Sequence, residues 1–474
     1  MPQAPMPQAA LPPAQVARGS RSLTLPLRLS VVWLAGTYVL FVLFGAVAEV
    51  ANLGRLTAFV AGTILSFSFG YLLKARSYAA RPLPLPPAEL SPAQTKQVRA
   101  LALLSALYFA TYGLSLLVEY GFRSPGAVLA ALLDPGHAYL AKFEVYAAQE
   151  ALGTKNPVVQ VVTLVAVLSA PLVPFLILYW RQLSVPIKVL GFVGLGLYVS
   201  YFLAIGTLSG LGTVLIFAGV SMMVAKARSR HLTGRRRPGL TVAVALAVAV
   251  FVGYMAFNQS ARLTAVGVAG QWEPNPVVRT LVGDGLARGL TVVLSYPTHG
   301  YQGLAYNLET PFTWTHGRGS SVAVDSYLEQ YGFGPSVYDT TYPRLTEART
   351  GWPAGQRWST IYPWLASDLT WPGAIAFMFV VGWWTARFWF ESVVLRSKLA
   401  LLLLCQLAVL ILFVPANNQI GIGRPSMIAF TSLVVAYLLR GLHRRLARSY
   451  ASVSPTVTAT PPVLESAPGG RGSR

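Results

Sequence analysis

A single cysteine, Cys405, stands in 474 residues, and it sits inside an apolar run. That excludes a disulfide framework and any cluster of thiolate metal ligands. Five histidines, at 137, 231, 299, 316 and 443, include no pair at helical ligand spacing, and neither HExxH nor a helix with paired acids occurs. No structural metal and no cofactor is therefore expected. The absence of GxxxxGK[ST] removes a phosphate-binding nucleotide loop and with it a primary pump. Charge is scarce at 11% of residues, and acids are fewest, 16 against 37 lysines and arginines.

What fills the chain instead is apolar surface: 54% hydrophobic residues and a mean hydropathy of +0.53. No ordinary soluble domain has that composition. Ten runs approach or reach the roughly 20 residues that cross a hydrocarbon core as a helix. They lie near 31–50, 56–73, 99–118, 158–179, 187–205, 208–225, 239–257, 371–390, 399–415 and 425–440. Lipid admits only helices or closed barrels, and uninterrupted runs exclude barrel alternation. The expected fold is all-α, a polytopic bundle of about ten transmembrane helices with one large external loop containing short helices.

The basic residues give the expected orientation, because lysine and arginine accumulate in cytoplasmic connections. With both termini inside, that face holds 25 of the 37 basic residues and only Glu89, Glu391 and Glu465, for +22; the opposite face carries −1. The net +21 thus reads as topology and anionic-lipid contact, and nucleic acid is not an expected partner. The localisation expected is the cytoplasmic membrane, multi-pass. Residues 1–28, rich in Pro, Gln and Ala, and the basic, then Pro- and Ser-rich 443–474 read as cytoplasmic tails, largely disordered. Between them lie spans one to seven in 29–257, the external loop 258–369, and spans eight to ten in 370–442. A proline-rich connection covers 79–93, an outer loop at 119–157 looks amphipathic around 128–140, and no internal repeat is visible. The glycine-rich segment 206–212 between spans five and six reads as a tight hairpin turn, with a nest of N–H groups for phosphate as the alternative.

The loop 258–369 has seven arginines, no lysine, eight carboxylates, two histidines and many aromatics. Arginine suits bidentate recognition of phosphate oxygens, while aromatic faces with amides and hydroxyls suit sugar rings. Phosphate contacts are expected first from Arg288, Arg318 and Arg357, then from Arg344, Arg349 and, on the polar turn 417–425, Arg424. Snorkelling and structural ion pairs compete for each of these guanidiniums. Tyr301, Gln302, Asn307, Trp314, Trp358 and Tyr362 are the expected sugar contacts, with an interfacial aromatic belt as the plainer alternative.

These features, the segment His299-Gly300-Tyr301-Gln302-Gly303-Leu304, and the approach Ser359-Thr360-x-Tyr362…Asp368-x-Thr370…Gly373 to a span resemble the bacterial O-antigen and exopolysaccharide repeat-unit polymerases. The resemblance is one of architecture and weak motifs over most of the membrane region. Thr370 stands where such polymerases often carry glycine, and the 206–212 turn lacks the arginine they often have in an earlier external turn. The resemblance implies a glycosyltransferase. A growing glycan would pass from undecaprenyl diphosphate to a new lipid-linked repeat unit, without metal, beside membrane lipid, with a flippase and a chain-length regulator as further partners. His299 is the preferred proton acceptor for the attacking hydroxyl, with Asp325 and Asp368 as alternatives. An O-antigen ligase-like transferase, a lipid-oligosaccharide transporter and a non-catalytic envelope subunit remain as competing functions.

Overall fold

The computed structural model describes residues 23–45, 50–79, 90–122, 124–152, 156–230, 238–265 and 276–453. The described residues divide into two compact units at Leu433/Val434. Among the described residues there is no strand, and the all-α expectation holds.

Seven of the described helices are long and apolar enough to cross a membrane. They are α1 (Leu25–Phe44), α2 (Leu53–Ala79), α3 (Pro92–Glu119), α8 (Val185–Ala204), α9 (Ser209–Arg230), α16 (Tyr362–Val393) and α18 (Arg424–Val453). The run expected as a straight span at 158–179 is broken into α6 (Pro157–Leu164) and α7 (Leu172–Leu178), bent by 75°; counted as one span, the pair makes eight. The break falls at Val165, a 3-10 turn follows over Ala166–Ser169, and Pro171 and Pro174, which have no N–H to donate back, mark the start of α7. The run near 239–257 lies within α10 (Pro238–Ala265), and that near 399–415 within the 16-residue α17 (Lys398–Phe413). Between α3 and α6 lie α4 (Pro125–Leu133) and α5 (Pro135–Leu152), where the amphipathic outer loop was expected.

Several starts are written locally. Ser91 and Gln94 form a reciprocal capping box with Pro92 at the first helical position of α3; Ser397 caps α17. Association of apolar helices in lipid has no hydrophobic drive and depends on close backbone approach. The α2–α16 pair achieves it with glycine from both sides. A Cβ on Gly70 would stand 2.1 Å from Phe379 O, and one on Gly382 would stand 2.0 Å from Phe67 O. In the α3–α8 pair Gly113 and Gly194 do the same against Tyr198 N and Ala106 O.

Span eight begins earlier than its apolar run. Residues 362–369 already form helical turns, and a break at Thr370 (φ 64°, ψ 172°) separates them from the rest of α16. Pro372 accounts for the break, since it cannot donate to a carbonyl four residues back. Between α10 and α16 the described chain folds into α11 (Pro276–Val282), α12 (Asp284–Ser295), α13 (His299–Leu308), α14 (Val322–Gln330) and α15 (Tyr342–Thr350).

Much of this connection is not a surface feature. Tyr301, Leu304 and Leu308 of α13 join Leu34, Phe41, Phe67, Met378 and Ile411 in the bundle's main apolar core. Nor is it tethered only at its ends. Thr360 N and Ile361 N donate to Ala416 O (2.8 Å) and Val414 O (3.0 Å), which holds the segment before α16 against the end of α17.

Candidate functional site

Among the residues expected to touch sugar, most are structural parts of the fold. Tyr301 is buried, with its hydroxyl 2.9 Å from Thr37 Oγ1, and Tyr362 is buried with its hydroxyl donating to Thr63 Oγ1 at 3.0 Å. Burial drives the Tyr301 phenol pKa far up, so it stays neutral. Asn307 is wholly buried; its amide donates to Gly303 O (2.7 Å) and accepts from Thr346 Oγ1 (2.9 Å), which also meets Thr310. Gln302 donates to the Tyr306 hydroxyl at 2.9 Å. Trp358 is half-buried against His299 and Tyr296. Trp314, 56% exposed beside His316, is the one of the six that faces outward.

The three expected proton acceptors are each engaged. His299 Nδ1 meets Ser295 O at 2.8 Å, and Nε2 accepts the Trp358 N–H at 3.3 Å. The two backbone partners fix the neutral tautomer with the proton on Nδ1. Burial, reinforced by the nearby Arg357 charge and opposed by the Ser295 bond, pushes its pKa down to about 4. Asp325 is buried in an ion pair with Arg318 (2.8 Å) and accepts from Ser336 Oγ and Val337 N. Asp368 is the hub of the 315–320 turn. One carboxylate oxygen takes the N–H groups of Gly317 (2.8 Å) and Gly319 (3.3 Å) with the Thr315 hydroxyl, and the other takes the backbone N–H and the hydroxyl of Ser320.

The arginines divide by partner. Arg318 faces Asp325, Arg344 pairs with Asp339 and Glu347, and Arg349 donates to Tyr306 O and Glu309 O with the Glu309 carboxylate 3.8 Å away. Among the described residues, Arg357 and Arg424 have no carboxylate partner. The Arg357 guanidinium lies 4.9 Å over Trp352, and that of Arg424 lies 4.4 Å over Tyr327 with its Nε donating to Ser326 Oγ. Arg288 lies on α12, but its side chain falls outside the described residues.

A cavity of about 200 Å³ opens where the turn 417–425 meets the bundle. Tyr108, Tyr112, Tyr198, Gln406, Gln419 and Ser426 give it a lining of rings, hydroxyls and amides with no ionised side chain. Segments of the large connection fasten to this turn: Asn418 Nδ2 donates to Ser320 O (2.6 Å) and Ser321 Oγ to Gly421 O (2.7 Å). The 417–425 turn borders this cavity through Gln419, Ile420 and Pro425, and the part of the lining supplied by α3 and α17 was not singled out in the sequence. Its signal lay in Tyr108 and Tyr112, spaced four apart, and in Gln406 within an apolar helix, polar groups that lipid-facing positions do not favour. The turn near 206–212 behaves as a hairpin: Gly206 (φ 63°) ends α8, and a Cβ on Gly210 would strike the Phe202 ring at 2.2 Å.

No family model matches the chain, and neither does any curated protein or solved structure.

Proposed function

We propose that this protein is a membrane-embedded polysaccharide polymerase that joins oligosaccharide repeat units carried on a lipid diphosphate. The carrying observation is the ring-, amide- and hydroxyl-lined cavity bordered by the 417–425 turn, with Arg424, which has no carboxylate partner among the described residues, next in sequence to the lining residues Pro425 and Ser426. Sugar rings stack on aromatic faces and require partners for their hydroxyls. The departing diphosphate concentrates negative charge that a fixed guanidinium stabilises. Arg424 and Arg357 serve that charge in this reading, whereas Arg318, Arg344 and Arg349 hold the large connection together. The acceptor hydroxyl attacks the anomeric carbon as the bond to diphosphate breaks. His299 would take its proton only after Nε2 gives up the Trp358 N–H.

The test is gene deletion followed by electrophoresis of the surface glycan. Loss of a polymerase leaves single repeat units, loss of a ligase leaves unattached polymer, and loss of a transporter leaves neither. Complementation with Arg424→Gln or Arg357→Gln should reduce chain growth at least tenfold at unchanged protein abundance. Normal chains with both variants would remove the site, and normal chains after deletion would remove the function.

The 75° bend between α6 and α7 favours a second reading, passage of a lipid-linked glycan, because Ser169 and Val173 beside the bend line the same cavity. Discontinuous helices bordering a cavity are a feature of transporters. The deletion phenotype separates the two.

A further inference from the structure

The start of α5 packs tightly on the end of α10. A Cβ on Gly136 would lie 2.6 Å from Ala261 O, and one on Gly206 would lie 2.6 Å from Pro135 O. This contact puts two cations on one ring: the Arg262 guanidinium is 3.5 Å from the Tyr139 centroid and the Lys142 ammonium 4.3 Å from it. Two like charges held together in a partly buried place destabilise one another, and Lys142 registers it. Burial first, then Arg262, push its pKa down to about 8. Among the described residues no carboxylate pairs with Arg262, which donates to the Tyr296 hydroxyl at 3.4 Å.

One turn before Arg262 on the same face, Asn258 is wholly buried, and neither its amide oxygen nor its amide nitrogen is in a well-formed hydrogen bond. The neighbouring Tyr254 hydroxyl interacts with this amide and also reaches Leu132 O at 3.5 Å, so the amide keeps hydrogen-bonding capacity to spare. A buried amide in this condition points to a polar group that the fold is built to receive. The surroundings identify what else that group carries, because Leu133, Phe143 and Phe257 are exposed large apolar side chains around the cluster. An anionic head with an apolar body satisfies all three observations.

We propose that Lys142, Arg262 and Asn258 form a binding site for a phosphate group carried by a membrane lipid. Arg262 offers the planar fork that matches phosphate oxygens, Lys142 a second positive charge, and Asn258 a neutral donor. Tyr139 holds the two cations in place from below. The site stands apart from the transferase reading and is read out by lipid retention, not by glycan synthesis. Its location at the end of an apolar helix suits the headgroup level of a bilayer.

The full chain purified in detergent is delipidated and offered, separately, phosphatidylglycerol, undecaprenyl diphosphate, diacylglycerol and inorganic phosphate, with bound species counted by native mass spectrometry. Phosphatidylglycerol or undecaprenyl diphosphate should be retained at least tenfold better than diacylglycerol, and the better of the two names the source. The double variant Lys142→Gln/Arg262→Gln should lose that preference, while Arg28→Gln keeps it. Arg262→Lys, which retains charge without the fork, should fall between and guards against misfolding of the double variant. Equal retention of diacylglycerol, undiminished retention by the double variant, or full competition by equimolar inorganic phosphate would overturn the proposal.

Discussion

The backbone N–H of Trp358 donates to His299 Nε2 at 3.3 Å while the indole stacks on the same imidazole, ring centroids 5.0 Å apart and 18° from parallel. One histidine thereby ties the start of α13 to the segment that pairs with the end of α17. Protonation would place a positive Nε2–H against an N–H donor and beside Arg357, so the contact exists only with the neutral ring.

The stability of this region should therefore depend on acid. In the unfolded chain His299 has its ordinary pKa near 6.5, and in the folded chain about 4, so between these values the unfolded state holds more protons. The contribution is complete above pH 6.5 and declines as pH falls towards 4. A tryptophan-fluorescence melt between pH 7.5 and 4.5 should show a falling midpoint in the wild type. His299→Gln, which has no charge to gain, should lose most of that slope; an unchanged slope would assign it elsewhere.

Asp368→Asn keeps size and shape but presents an amide NH₂ to donors that need an acceptor. Whichever way the amide turns, one of the two groups, the Ser320 pair or the Gly317 and Gly319 N–H groups, meets a donor. With charged-acceptor hydrogen bonds contributing about 1.5–3 kcal/mol each, a destabilisation of about 3 kcal/mol is expected. Limited proteolysis should report it as faster cleavage within 311–321 without faster cleavage elsewhere.

Thr370 holds φ 64° and ψ 172°, a region that is nearly exclusive to glycine and costs a residue with a Cβ about 1–3 kcal/mol. Thr370→Gly should accordingly raise thermal stability, offset in part by the greater chain entropy of glycine in the unfolded state. A lower melting temperature for the glycine variant would show that the threonine side chain has contacts outweighing the backbone.

Thr346→Val removes one hydroxyl from a sealed network and leaves Asn307 Oδ1 without its donor. A loss of about 1–3 kcal/mol follows from an unpaired buried acceptor. Denaturant unfolding measures it. The double variant with Asn307→Leu should cost less than the two single variants summed, since it removes both ends of the bond.

Cys405 is wholly buried, so a cysteine introduced elsewhere can be labelled without background. Trp314→Cys should react with a membrane-impermeant maleimide in intact spheroplasts, and Arg76→Cys only after permeabilisation. The reverse pattern would place the large connection in the cytosol and exclude surface glycan assembly.

Composition and periodicity alone determined that this is an all-α membrane bundle, because lipid leaves a long apolar run no structure but a helix and the run length reports that directly. They also located the polar 417–425 turn and the large connection before the last helices. Only the tertiary structure decided which polar groups of that connection are committed to the fold. Tyr301, Tyr362 and Asn307 look like ligand contacts in a linear reading, yet they are core because α13 enters the bundle. Arg318 and Arg357 are indistinguishable as letters, yet one meets Asp325 and the other meets no described carboxylate. The proximity of Lys142 to Arg262, 120 residues apart, was equally illegible. Hydrophobic patterning is a local property read by the solvent, whereas the pairing of charges and amides depends on which distant backbones the glycines at 70, 136 and 382 allow to touch.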